Sequence, residues 1–178
     1  PLKSGVLEMQ DKVFDGLFGV FNDSLPDGWG RLLIDRKLRS LGVSPNNISP
    51  LERLCFVGSN GMGALCYEPE NNFSSYDSKI DLDKIAEEIY QFQEKDDDQY
   101  IEDLINLGGS SAGARPKILL NYDREEWLVK FRSSLDPKDI GNIEYAYYKM
   151  ARAAKLDVSE AKLFPSKTGR GYFGTKRF

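Results

Sequence analysis

The chain contains no histidine, and this absence narrows the chemistry open to it. Without histidine there is no Ser-His-Asp or Cys-His nucleophilic site, and the commonest zinc and non-haem iron ligand sets are incomplete. Cysteine is also scarce, because only Cys55 and Cys66 occur, each among apolar neighbours. We interpret them as reduced core residues of a cytoplasmic protein rather than as a disulfide.

Long apolar runs, a basic excess and clustered metal ligands are missing as well. No run approaches the roughly 20 residues of a membrane-spanning helix, and the first residues show no signal peptide. The net charge of −4 over 178 residues predicts no direct binding to nucleic acid. The run Asp96-Asp97-Asp98 is typical of a solvated turn, so no metal site is predicted. Because the chain begins with Pro1, we expect truncation at both ends.

Local patterns predict a mixture of helices and strands, hence an α+β fold. Asp27, Ser49 and Asp81 are candidate helix N-caps, and Glu52 completes a capping box with Ser49. We expect two units: a mixed helix and strand unit over residues 1–100, and a small antiparallel sheet with one packed helix over residues 101–178. The predicted helices span about 28–41, 50–56, 82–92 and 144–156, and the predicted strands about 61–67, 117–121, 127–131, 162–165 and 171–173.

A run of small residues from Gly109 to Ala114 precedes the predicted hairpin. The backbone N–H groups of such a loop can turn towards an anion. The run does not match the GxxxxGK[ST] pattern of P-loops. It does match the GxSxG elbow of serine hydrolases, but the chain has no histidine to activate the serine. A phosphate-covering loop, a tight structural turn and a hydrolase elbow stay open, and the following hairpin favours the first.

Lys130 stands among large apolar residues in the second strand of the hairpin. A buried lysine needs a carboxylate or a ligand anion, and Glu144 on the next helix could supply the carboxylate. Protein kinases orient nucleotide phosphates with such a pair. The other interpretation is an edge-strand lysine that reaches water, with Glu144 on a solvated helix face. Arg115 and Lys117 could bind phosphates, or they could be surface residues without a ligand.

Five segments, taken together and in order, resemble the HipA family of serine/threonine kinases, the toxins of bacterial toxin–antitoxin pairs. The resemblance covers nearly the whole chain. It implies a small N-terminal subdomain followed by a kinase-like N-lobe. The segments are Leu25-Pro26-Asp27-Gly28-Trp29-Gly30-Arg31, Gly63-Ala64-Leu65, Gly109-Ser110-Ser111-Ala112-Gly113-Ala114-Arg115-Pro116-Lys117, Trp127-Leu128-Val129-Lys130-Phe131 and Arg177-Phe178.

The resemblance implies ATP as the cofactor, with Mg²⁺ held mainly by a C-lobe that we expect outside this segment. No catalytic residue is therefore expected here, and the segment alone should be inactive. Family members autophosphorylate a serine of the glycine-rich loop, which corresponds to Ser110 here, with Ser111 as a competing acceptor. A phosphoserine would place negative charge beside the phosphates of ATP and so inhibit binding. The implied ATP-binding residues are Gly109, Ser110, Ser111, Ala112, Gly113, Ala114, Lys117, Lys130 and Glu144.

The resemblance also implies partners. These are a HipB-like DNA-binding antitoxin and a protein substrate phosphorylated on serine or threonine, for which the family suggests an aminoacyl-tRNA synthetase. A rival interpretation from another class is a non-catalytic protein-docking module that retains the kinase N-lobe. In that case the substitution Lys130→Ala should leave the biological effect unchanged.

Overall fold

The computed structural model describes residues 13–14, 16–59, 61, 63–70, 81–94, 101–108 and 113–177. Within them, six α-helices, one 3-10 turn and a four-stranded antiparallel sheet confirm the predicted α+β class. The helices are α1 (Gly19–Asn22), α2 (Gly28–Ser40), α3 (Pro50–Val57), α4 (Leu82–Glu94), α5 (Ile101–Gly108) and α6 (Ile140–Ala153). The strands are β1 (Lys117–Tyr122), β2 (Glu125–Lys130), β3 (Ala161–Phe164) and β4 (Tyr172–Lys176).

The predicted starts of α2, α3 and α4 are confirmed, with one difference in how they are capped. Ser49 and Glu52 form the complete capping box at the start of α3. Asp81 accepts hydrogen bonds from the backbone N–H groups of the first turn of α4. Asp27 occupies the N-cap position of α2, but its side chain makes no capping hydrogen bond. Its carboxylate instead accepts a hydrogen bond in the candidate site, which is described below.

Three expectations differ from the structure. The strand expected over 61–67 is wrong, because the described residues of that segment form no strand. Helix α5 was not predicted: its short apolar segment follows an acidic run and is helical because its apolar side chains reach the core. Helix α6 begins at Ile140 rather than at Glu144, shortly after Pro137. The acidic run 95–100 lies outside the described residues.

Both cysteines have free thiols, as expected for a reduced pair. The expectation that both lie in the core is wrong for Cys66, which is exposed, whereas Cys55 is partly exposed. Cys66 belongs to the segment without strand structure, so no sheet neighbour covers it. No helix of the described residues is long and apolar enough to cross a membrane.

The sheet has the strand order β1-β2-β4-β3, and every neighbouring pair is antiparallel. In the β1–β2 hairpin, Lys117 lies opposite Lys130, and Leu119 lies opposite Leu128. Residues that face each other across a strand pair point to the same side of the sheet. The two lysines therefore share one face.

The opposite face carries the main core. Its strand residues pack against helices α2, α4 and α5, and Trp29 of α2 meets the ring of Phe92 of α4 edge-on at 5.5 Å. The cluster thus joins residues from both sides of the expected boundary near residue 100, and the two-unit division stays a prediction. Its buried members are Trp29, Leu33, Ile85, Ile89, Phe92, Ile101, Leu104, Ile105, Leu107, Ile118, Leu120, Trp127, Val129, Phe131 and Phe164.

Candidate functional site

The structure brings Lys130 and Glu144 together. Lys130 is the last residue of β2, and its Nζ lies 2.9 Å from Oε2 of Glu144 on α6. The ammonium also lies 5.4 Å from the ring centre of Phe173. The side chain of Lys130 keeps one third of its surface exposed, and that of Glu144 is 17% exposed. The pair is therefore partly shielded from water but open to a ligand.

Arg115 joins this pair, a role that the sequence did not predict. Its Nη1 lies 2.6 Å from Oε1 of Glu144, and its Nη2 lies 2.9 Å from Oδ1 of Asp136. Each carboxylate oxygen of Glu144 thus accepts a hydrogen bond from a different cation. Arg115 follows the glycine-rich loop directly, so its two ion pairs connect that loop to α6. The Arg-Pro-Lys sequence signalled positive charge here, but not this cross-link.

Asp136 supports Arg115 from the connection between β2 and α6. Its second oxygen accepts from the backbone N–H and the hydroxyl of Ser133, each at 2.9 Å. Burial alone would raise the pKa of Asp136, but the Ser133 hydrogen bonds and the Arg115 charge outweigh burial and hold that pKa below its usual value. The carboxylate is therefore ionised at neutral pH and keeps Arg115 in place.

Lys117 provides a second lysine on the same face. Its residue is only 6% exposed, and its Nζ donates to the carbonyl oxygen of Gly113 at 3.0 Å. Burial lowers the pKa of Lys117, and the nearby charge of Lys130 lowers it further, while Asp27 acts in the opposite direction. A buried ammonium beside another ammonium favours the binding of an anion.

Only the C-terminal end of the glycine-rich loop, Gly113 and Ala114, belongs to the described residues. Gly109, Ser110, Ser111 and Ala112 lie outside them, so their proposed contacts with phosphates and the proposed modification of the serines stay predictions. Gly113 is described, with a φ of +91° that favours glycine, and Ala114 follows it. The Gly113 carbonyl lies beside Lys117, so the loop ends next to the lysine pair.

The end of the loop also contacts the start of helix α2. The backbone N–H of Trp29 donates to the Gly113 carbonyl at 2.9 Å. The backbone N–H of Gly113 donates to the carboxylate of Asp27. We predicted Asp27 as a simple helix cap and missed this contact. The glycines that flank Trp29 are a sequence signal for such a close backbone approach.

An apolar surface adjoins the cations. Leu119, Leu128 and Thr175 are partly exposed on neighbouring strands, on the lysine face of the sheet. A cavity of about 350 Å³ opens between α6 and β4, and it is lined by Glu144 and Phe173 among others. The site therefore combines cations at the loop end with an apolar strand surface. That combination suits a ligand with an anionic part and a flat apolar part.

The described residues contain no group of three or more histidine, cysteine, aspartate or glutamate side chains that could hold a metal ion. Asp136 and Glu144, the acidic residues beside Lys130 and Arg115, are both engaged by cations. These residues do not form a ligand set for Mg²⁺. No step of the chemistry below is therefore assigned to a metal.

Two family models match the chain. The model described as HipA N-terminal domain matches residues 2–68, and the model described as HipA-like C-terminal domain matches residues 109–178. The second match contains the end of the loop, both lysines, Arg115 and Glu144. No curated protein and no solved structure gives a significant match.

Proposed function

The chain belongs to the HipA family, and from this premise we propose that it forms the ATP-binding part of a serine/threonine protein kinase. The observation that carries the proposal is the ion pair of Lys130 with Glu144. A strand lysine held by a glutamate of the following helix is how protein kinases direct an ammonium at the nucleotide phosphates. The pair lies beside the end of a glycine-rich loop, as that function requires.

Each residue of the site has a distinct role in this proposal. Lys130 orients the α- and β-phosphates, and Glu144 fixes the position of its ammonium. Lys117 adds a second positive charge on the same face, and Arg115 fixes Glu144 from the loop side. The backbone of residues 109–114 covers the phosphates. Mg²⁺ would arrive with the nucleotide, and the described residues are not assigned to it.

The same loop would regulate the activity. Phosphorylation of Ser110, or of its neighbour Ser111, adds close to two negative charges next to the lysine pair. The phosphoserine would then compete with the nucleotide for Lys117 and Lys130. We place the protein in the bacterial cytoplasm, with a HipB-like DNA-binding antitoxin as its partner. Its protein substrate would be an aminoacyl-tRNA synthetase.

Incubation with γ-labelled Mg²⁺–ATP tests the proposal. Because this segment alone should be inactive, the test uses the intact protein that also contains the expected C-lobe, and we expect label on Ser110 or Ser111 there. Lys130→Ala should reduce labelling about a hundredfold, since hydrogen bonds to charged groups contribute roughly 1.5–3 kcal/mol each. Lys149→Ala, which removes an exposed lysine of α6, is the matched control and should change nothing.

The second candidate is a non-catalytic protein-docking module. Helix α6 has no buried residue, and Tyr147 and Met150 are about two thirds exposed on it, a surface that a partner protein could cover. Equal labelling of the natural protein and Lys130→Ala, or no labelling of either when the loop serines start unmodified, would favour this candidate.

A further inference from the structure

We propose that Asp27, Gly28 and Trp29 form a loop clamp that holds Gly113 and thereby positions the glycine-rich loop for the phosphates of ATP. The inference rests on the proposed function of the same site. It makes the start of helix α2, which lies far from the loop in sequence, part of the nucleotide site. Asp27 and Gly28 become positioning residues that act through the backbone of Gly113.

The clamp consists of hydrogen bonds to both backbone groups of Gly113. Asp27 accepts from its N–H, and the N–H of Trp29 donates to its carbonyl oxygen. Lys117 donates to the same carbonyl at 3.0 Å. One residue at the end of the loop is thus connected to the start of helix α2 and to strand β1 at once. A loop residue with both backbone groups bonded loses most of its freedom to rotate.

Gly28 allows the two segments to approach this closely. A Cβ placed on Gly28 would lie 2.6 Å from the carbonyl carbon and oxygen of Gly113 and 2.8 Å from the Cα of Ala114. Gly28 also has a φ of +42°, which side chains rarely permit. Any larger residue at position 28 must therefore push the end of the loop away from helix α2.

The clamp is fixed to the core of the protein. Trp29, which follows Gly28, is 1% exposed and packs edge-on against the ring of Phe92. The other end of the loop is constrained as well. Helix α5 ends at Gly108, where a Cβ would overlap the carbonyl oxygen of Lys117. Gly108 and Gly113, the described residues on either side of positions 109–112, are thus both held by contacts with β1 or helix α2.

Fixed ends matter because the loop must point its N–H groups at the phosphates. A loop that is ordered before binding loses less conformational entropy when the ligand arrives. Releasing Gly113 should therefore weaken the binding of ATP. It should leave adenosine, which has no phosphates, almost unaffected. The Gly113 carbonyl also bonds Lys117, so its displacement would move one cation of the site.

The experiment compares ATP and adenosine affinities by calorimetric titration of the same protein used for phosphoryl transfer. We expect Gly28→Ala to weaken ATP binding about tenfold and adenosine binding less than about twofold. Gly42→Ala is the matched control. Gly42 also has a positive φ, of +75°, but a Cβ there would meet nothing within 4 Å. The Gly42→Ala variant introduces backbone strain at a positive φ but no steric conflict with the loop, so it should bind ATP normally.

Asp27 supplies a second pair of variants that cause no steric conflict. Asp27→Ala should weaken ATP binding several-fold, because Gly113 N–H loses its acceptor. Asp27→Asn keeps an oxygen acceptor and should restore most of the affinity. Hydrogen exchange of residues 108–116 should become faster in Gly28→Ala and in Asp27→Ala, and should be unchanged in Gly42→Ala.

The outcomes separate this inference from the proposed function. If the natural protein binds ATP and Lys130→Ala does not, while Gly28→Ala and Asp27→Ala bind ATP normally, the clamp is refuted and the kinase proposal survives. Equal losses of ATP and adenosine affinity would also refute the clamp, since they indicate a general loss of structure. Absence of ATP binding by the natural protein would overturn both proposals.

Discussion

The two faces of the four-stranded sheet differ in what holds them in place. One face presents Ile118, Leu120, Trp127 and Val129 to the helices, and all four are buried. The other face presents Lys117 and Lys130, which lie opposite each other. Apolar burial stabilises the first face in proportion to the area removed from water. The second is organised by ion pairs and hydrogen bonds, which contribute less stability but fix the geometry of charges.

The comparison explains how a small sheet can carry two neighbouring cations. Two ammonium groups on one face repel each other, and the burial of Lys117 adds a cost. Glu144 and the Gly113 carbonyl compensate part of that cost on the same face. The apolar face supplies the rest of the stability. Substitutions on the apolar face should therefore change mainly the stability, and substitutions on the lysine face should change mainly the binding of a ligand.

The largest effect is expected on the apolar face. Phe92→Ala should lower the free energy of unfolding by about 3–5 kcal/mol, because the ring is fully buried and its removal leaves a cavity beside Trp29. Urea denaturation followed by tryptophan fluorescence measures this change. Tyr147→Ala on the exposed surface of α6 is the control and should change stability by less than about 0.5 kcal/mol. A loss in Phe92→Ala as small as that of the control would contradict the role of Phe92 in the core.

A smaller effect, on binding rather than on stability, is expected at Glu144. Glu144→Gln keeps the shape of the side chain but removes the charge shared by Lys130 and Arg115. We expect ATP to bind about tenfold more weakly, at the lower end for hydrogen bonds to charged groups because Lys130 is one third exposed. Glu160→Gln, in an exposed position before β3, controls for the loss of a negative charge. Unchanged ATP affinity in Glu144→Gln would contradict the role of the ion pair.

The smallest effect is a pH dependence from Lys117. Its pKa lies below the ordinary lysine value of 10.5 in the folded protein, through burial and then through Lys130, against the opposing charge of Asp27. Between the lowered folded pKa and 10.5 the unfolded chain binds more protons, so stability rises with pH in that window. Measured against Lys117→Met, the natural protein should gain relative stability as pH approaches that value. A constant difference between the two proteins would show that Lys117 titrates normally.

Several parts of the fold could be predicted because they depend on neighbouring residues in the sequence. The capping box of Ser49 and Glu52 and the hairpin of β1 and β2 follow from local patterns and were found. Helix α5 was not predicted, since its eight residues are too few to form a stable helix without the core, and no capping box precedes them in the sequence as it does in the equally short α3. The strand expected over 61–67 is wrong because a strand needs a neighbour in the sheet, and none of the described residues of this segment pairs with one.

The candidate site shows the same division. The sequence by itself offered Glu144 as a carboxylate for Lys130, because an ammonium among apolar neighbours is costly to bury, but it left open a lysine that reaches water. It also determined the family to which the chain belongs. Only the tertiary structure decided that Arg115 shares Glu144 and that Asp27 holds Gly113. These contacts join residues distant in sequence, and their geometry exists only once the core has brought helix α2, the loop and helix α6 together.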